Sequence, residues 1–176
     1  MKIVHIASEV APWSQTGGLA DVAGSVPHAL ARVGGGDIEC AVITPFYGGI
    51  RERAAKSGAT ITDTGVTVSV PMAGWRVVAR IYCLRDRQHS QVPVYLIDYP
   101  GFYEREGLYC NASGSDHSDN FIRFGFLCRA AIEAAPRVMG GMPDVFHTHD
   151  WQAGLVPVYL RTCYPYLRSA CVFPKG

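Results

Sequence analysis

The chain has 176 residues, of which 48% are apolar and 18% charged, and its formal net charge at pH 7 is +1. That length suits one domain with a core of its own, and so balanced a charge gives no electrostatic ground for nucleic acid or a membrane surface as a partner. The six cysteines, Cys40, Cys83, Cys110, Cys128, Cys163 and Cys171, are scattered without a C-x-x-C pair, which disfavours a zinc cage or a thioredoxin-like centre.

The first apolar run starts at Ile3 with no basic segment before it and no cleavage site after it. No apolar run reaches the length of a membrane span. The expectation is a reduced, soluble, cytoplasmic domain. In that setting the sequon Asn111-Ala112-Ser113 is a chance match.

In chain order, "KIVHIAS" (2–8) reads as a first strand. Leu19, Val22, Ala23, Val26, Leu30 and Val33 then recur at helical spacing up to Gly34-Gly35-Gly36, with Pro27 inside the pattern expected to bend or end the helix. "IECAVITPF" (38–46) is nearly all apolar, as a strand covered on both faces should be. Strand, helix and strand in this order predict a right-handed βαβ unit with strand one central in a parallel sheet. "GVTVSVPM" (65–72) and "WRVVARIYCL" (75–84) alternate and predict an antiparallel pair, and "VPVYLIDYP" (92–100) predicts a further sheet strand. A polar, glycine-rich loop follows over 101–117. Residues 118–138 predict a helix with Phe121, Phe124, Leu127, Cys128, Ala131 and Ala135 on one stripe. "DVFHTHD" (144–150) predicts a strand, 151–163 a helix capped by Asp150, and 169–173 a last strand inside which the chain stops.

Three stretches carry chemistry. Gly17-Gly18 lies between a strand and a helix N-terminus, a geometry that binds anions, although the same pair also serves as a plain tight turn. The pattern is not G-x-G-x-x-G, so a dinucleotide fingerprint is unsupported. In "HTHDWQAG" (147–154), His147 and His149 share one strand face. An H-x-H metal pair would need further ligands, and His5, His28, His89 and His117 offer no recognisable partner motif. The other readings are one core and one loop histidine, or His149 bound to a polar ligand at a strand end. In "SDHSDNFIRF" (115–124), Ser118 or Asp119 caps a helix and Arg123 makes a surface or intrahelical pair.

Taken together, "KIVHIASEVAPWSQTGGLADVAGSVPHAL", "VYLIDYPGFYEREGLY", "SDNFIRFGFLCRAAIE" and "PDVFHTHDWQAGLVPVYL" resemble the N-terminal domain of bacterial glycogen synthases and plant starch synthases, from Lys2 to about Phe173. The resemblance implies the first half of a GT-B fold, an α/β Rossmann-like three-layer domain with a mostly parallel sheet and an inserted antiparallel strand pair. It implies retaining transfer of glucose from ADP-glucose to the non-reducing end of an α-1,4-glucan, with no metal and no cofactor beyond the substrate. It places Gln15, Gly17, Gly18 and Asp21 on the donor side, Asp119 as a carboxylate near the transferring sugar, and His149 as the histidine that binds the donor glucose.

Two departures accompany the resemblance. The family's lysine in K-[TV]-G-G-L is Gln15 here, a neutral amide in place of a cation. After "VF" the family continues T-[VI]-H-N, whereas this chain ends Pro174-Lys175-Gly176. Residues 1–176 are therefore expected to form one wall of a site whose C-terminal nucleotide-binding domain is absent, and alone to be inactive. A non-catalytic Rossmann-like module that binds glucan or sugar is the alternative; a flavodoxin-like or NAD-binding domain is disfavoured by the missing fingerprints.

Overall fold

The computed structural model describes residues 1–72, 74–86, 91–165 and 167. Strands β1 (Lys2–Ile6), β2 (Glu39–Pro45), β3 (Thr60–Met72), β4 (Trp75–Arg85), β5 (Val94–Asp98) and β6 (Val145–Thr148) form one sheet in the order β3-β4-β5-β2-β1-β6. β1 is parallel to both β2 and β6, and β2 is parallel to β5. β4 joins β5 antiparallel and carries β3 as a hairpin partner. The sheet is thus mostly parallel, and β1 is an interior strand of its parallel block.

Burial follows from that topology. In β2 every residue after Glu39 is buried, because both faces are covered. β4 alternates and β3, at the sheet edge, is largely exposed over its first half. Residue 65 lies at a register shift in the hairpin, where glycine adopts a φ of 72°.

Among the described residues, five α-helices connect or flank the strands: α1 (Gly18–Val33), α2 (Ile50–Ser57), α3 (Pro100–Tyr103), α4 (Asn120–Val138) and α5 (Val156–Thr162). The connection β1–α1–β2 steps one way across the sheet, and the connection from β5 through α4 to β6 steps the other way. Right-handed crossovers therefore place α1 and α4 on opposite faces, giving three layers. α4 is buried almost all round, from Arg123 through Ala135, and α5 packs against its outer side.

Several expectations are corrected. α1 runs through Pro27 to Val33 rather than ending there, and Pro27 is buried against the sheet layer, so packing outweighs the missing backbone donor. Phe121 does not join the buried stripe of α4; it stands 72% exposed in the first turn. The helix expected over 151–163 is two pieces, a 3-10 turn (Trp151–Ala153) and α5, because Pro157 falls in the first turn of α5 and disfavours helix before it. The loop expected over 101–117 begins within α3. α2 was not anticipated; its eight residues bury only Ile50 and Ala54, and its ends are marked by Gly49 and Gly58 at left-handed φ. The strand expected at 169–173 lies outside the described residues.

One close approach sets the position of the loop after β1. A Cβ at Gly24 in α1 would lie 2.8 Å from the backbone carbonyl oxygen of Ala11. The Ala11 amide in turn donates to the Ala20 carbonyl at 3.0 Å. The loop thus lies directly on α1, with its backbone as the contact surface. Gly24→Ala gains about 1 kcal/mol of helix propensity but must push a backbone segment away, an overpacking cost of about 1–3 kcal/mol. We expect a net loss of stability in urea unfolding; a variant as stable as the parent would show that the loop yields freely.

Candidate functional site

All four parallel strands end at the same edge of the sheet. The loop after β1 turns toward α1, and the loop after β6 turns toward α4 and α5. Their divergence opens a crevice at the carboxyl ends of β1 and β6, the switch point where α/β sheets bind ligands.

Histidines fill the floor of that crevice. The parallel register sets His5 beside His147, and the His149 amide donates to the Ile6 carbonyl at 3.0 Å. His5 Nδ1 and His149 Nε2 are 3.1 Å apart and share a hydrogen bond. The rings of His147 and His149 stack with centroids 4.4 Å apart, and His5 lies 4.8 Å from His147. His5 is fully buried and His149 nearly so, whereas His147 is exposed. Burial, reinforced by the neighbouring histidines, lowers His5 from 6.5 to about 3; burial and then His147 lower His149 to about 4. Both are neutral at pH 7. Sequence reasoning found no partner for the His147/His149 pair in His5, a correction that only strand pairing supplies: nothing in the local sequence links residues 5 and 147.

Asp150 follows His149 at φ 61°, ψ −177°, the only non-glycine residue at positive φ among those described. Its Oδ1 accepts from the Trp151 amide at 2.6 Å, so the expected capping role holds for the 3-10 turn. Such backbone strain costs about 1–3 kcal/mol and gathers at functional sites. Here it turns the chain sharply just past His149.

The loop after β1 is organised by Glu9, which is 3% exposed. Its carboxylate accepts from the Thr16 amide, from the Thr16 hydroxyl at 3.0 Å and from the Tyr109 hydroxyl at 3.1 Å. The Tyr109 oxygen also contacts the Ser8 hydroxyl at 2.6 Å. Burial pushes the Tyr109 hydroxyl pKa well up, so it stays a donor. Tyr109 packs on Phe124 and Trp151, and its carbonyl accepts from Asn120 Nδ2 at 2.9 Å. Tyr109 therefore touches two of the stretches singled out in the sequence and is linked through Glu9 and Thr16 to the third, Gly17-Gly18, a role the sequence pattern does not reveal.

Gly17 and Gly18 stand at the start of α1 with no side-chain cap, and both are exposed. A Cβ at either would meet nothing within 4 Å, and neither has positive φ. Neither packing nor backbone geometry requires glycine there; what glycine leaves is open space before the free amides of a helix terminus. Gln15 Nε2 donates to both carboxylate oxygens of Asp21, at 3.2 and 3.3 Å.

Asp119 occupies the N-cap position of α4 but makes no side-chain cap bond. It pairs instead with Arg105 at 2.9 Å, and Arg105 also donates to the Gly101 carbonyl at 2.7 Å. Gln15, Thr16, Tyr47, Arg53 and Arg105 line a cavity of about 380 Å³. Arg123 is not on the surface: it is fully buried, donating to the Phe102 carbonyl at 2.8 Å and to Asn120 Oδ1 at 2.6 Å.

Against this geometry, the sequence profile described as "Starch synthase catalytic domain" matches residues 2–173. The chain belongs to the starch synthase catalytic domain family. Relatives include the glycogen synthase of Anaeromyxobacter dehalogenans (strain 2CP-C), 43% identical over 162 residues, which cover 92% of this chain and 30% of that protein. The glycogen synthase of Granulibacter bethesdensis is 39% identical, over 91% of this chain and 31% of that protein. This chain therefore spans about a third of the length of the relatives it matches. Among solved structures, the catalytic domain of starch synthase IV from Arabidopsis thaliana, bound to ADP and acarbose, superposes with a TM-score of 0.76 at 28% identity, over 96% of this chain and 32% of that one. The fold is the α/β, Rossmann-like architecture of the GT-B starch synthases.

The buried neutral His5 makes stability depend on pH. Its folded pKa lies below the unfolded value of 6.5, so below pH 6.5 the unfolded chain binds a proton that the native chain refuses. Stability falls as the pH drops from 6.5 toward 3, by about 2 kcal/mol at pH 5 from this residue. Urea unfolding at pH 7.5 and pH 5 should show a smaller pH difference in His5→Gln than in the parent. Equal differences would mean that His5 is not held neutral.

Proposed function

We propose that this chain forms one wall of the active cleft of a glycogen or starch synthase, which moves glucose from ADP-glucose to the non-reducing end of an α-1,4-glucan with retention. The observation that carries the reading is family membership along residues 2–173. The bound ADP and acarbose of the starch synthase IV neighbour point to the same pair of ligands, a nucleotide and a glucan-like sugar.

Retaining transfer develops positive charge on the sugar and negative charge on the departing diphosphate, and both need fixed partners. In this proposal the uncapped start of α1 takes the diphosphate. The helix brings about half a positive charge there, and Gly17 and Gly18 keep the approach open. His149 takes the donor glucose: it is neutral, fixed by His5 and aimed by the strained turn at Asp150. Asp119, held half-buried by Arg105, lies near the transferring sugar. Gln15 and Asp21 border the donor side as a hydrogen-bonded pair. No cofactor or metal takes part in the transfer. The opposite wall, with further cations for the phosphates, comes from a C-terminal nucleotide-binding domain.

The test is glucose incorporation into glycogen from labelled ADP-glucose. The 176-residue chain alone should give none above blank, since losing several oxyanion-type donors at about 2.7–4 kcal/mol each brings the rate to background. Joined to the remaining part of the Anaeromyxobacter relative, it should incorporate glucose, and His149→Ala should lower that rate at least a hundredfold. A folded, inactive joined protein would favour a non-catalytic sugar-binding module. Incorporation by the 176 residues alone that His149→Ala abolishes would overturn the one-wall proposal.

A second measurement addresses Gln15. A lysine there pairs with Asp21 and still brings a cation to the donor side. In the joined protein Gln15→Lys should tighten ADP-glucose binding by about 1–3 kcal/mol, the range of a charge-assisted contact. An unchanged Kd would show that the position does not face the donor.

A further inference from the structure

Three imidazoles, from β1, from β6 and from the residue just past β6, meet at the carboxyl ends of the two strands. One ring nitrogen from each of His5, His147 and His149 can be chosen so that the three lie within 4.8 Å of one another. Two of them, His5 Nδ1 and His149 Nε2, are 3.1 Å apart. Tetrahedral zinc with bonds of about 2.0–2.1 Å sets its nitrogens roughly 3.3 Å apart, so this pair already has the spacing of two ligands of one ion. The third ring, His147, sits on the exposed side of the cluster, stacked on His149.

His5 is fully buried, yet its Nε2 has no hydrogen-bond partner among the described residues. A buried polar nitrogen left unpartnered is unfavourable by about 1–3 kcal/mol. Nε2 is not the nitrogen 3.1 Å from His149; it carries the ring proton when Nδ1 accepts or ligates, so the site rests on the geometry of the three rings. No carboxylate or thiol belongs to the group. An all-imidazole set suits zinc, copper, nickel or cobalt and suits magnesium or calcium poorly.

We propose that His5, His147 and His149 form a binding site for a borderline divalent transition metal of the zinc class. The metal replaces the His5–His149 hydrogen bond, takes one nitrogen from each ring, and leaves its fourth position toward the open side of the crevice beside His147. This is not a catalytic metal. On the reading that His149 holds the donor glucose, which this consequence rests on, an ion at the site withdraws His149 from the sugar, so the metal inhibits transfer.

The binding half is tested on the 176-residue chain itself, without donor or glucan, by titration with cobalt(II) and zinc(II). One cobalt should bind with the visible spectrum of tetrahedral nitrogen and oxygen ligation, without the near-ultraviolet thiolate band that the cysteines would give, and zinc should displace it. His147→Ala changes only an exposed ring and should weaken the affinity at least tenfold while the circular dichroism stays that of the parent. His117→Ala, outside the cluster, should leave the affinity unchanged. No binding, a thiolate band, or an affinity indifferent to His147→Ala overturns the site. The inhibition half is read in the joined, active protein: zinc should lower transfer at least tenfold in the parent and less than twofold in His147→Ala. Equal inhibition of both overturns the link to His149, and an inactive joined protein refutes the transferase reading while the metal titration still decides the site.

Discussion

The hydroxyl of Tyr109 holds the candidate site together. It donates to the buried carboxylate of Glu9 and meets the Ser8 hydroxyl, so it binds the chain as it leaves β1. The carboxylate it satisfies also fixes Thr16, and hence the path of the chain into Gly17-Gly18. On its other sides Tyr109 packs on Trp151, two residues past His149, and accepts from Asn120, next to Asp119. A carboxylate as buried as Glu9 is tolerable only with its lone pairs occupied. The demand for partners on one glutamate thereby draws three distant segments to one place.

The second constraint is the pairing of β1 with β6. Because β1 is interior, Ile3 to Ile6 are paired on both sides, and His5 is the residue that falls beside His147. Packing three imidazoles in a mostly dry space keeps His5 and His149 neutral, since a proton on either would be desolvated and would repel its neighbours. A neutral imidazole accepts or donates one hydrogen bond at each ring nitrogen as its tautomer dictates, which is what the role proposed for His149 requires. The strained Asp150 then turns the chain sharply just past His149.

The start of α1, the proposed donor side, is arranged more loosely. Gln15 and Asp21 are exposed and hold each other by an amide–carboxylate contact, where a lysine would make an ion pair. Exposed pairs of either kind contribute little to stability, so the identity of residue 15 bears on what approaches the α1 terminus more than on the fold. Gly17 and Gly18 support the same view, because neither is demanded by its own backbone angles or by its neighbours.

Much of the architecture was legible in local pattern. The fully apolar run of β2 reported a strand covered on both faces, the alternation of 65–84 reported the hairpin, and the spacing from Leu19 to Val33 reported α1 despite Pro27. Four motifs in order reported the family. Short or weakly apolar elements escaped: α2 buries two residues, and the break before α5 depends on Pro157 at a helix start rather than on hydrophobic period. The candidate site residues Gln15, Gly17, Gly18, Asp21, Asp119 and His149 are named by the sequence resemblance, but their partners are not. That His5 completes a histidine cluster, that Arg105 holds Asp119, that Arg123 is buried rather than exposed, and that Tyr109 binds Glu9 are contacts between residues far apart in the chain. The sequence by itself determined the alternation of strands and helices and the chemistry available at the strand ends, because these depend on residue type and spacing over a few turns. Which of those groups meet was decided by the tertiary structure alone, because parallel register and right-handed crossovers set neighbours across the sheet without leaving any trace in local spacing.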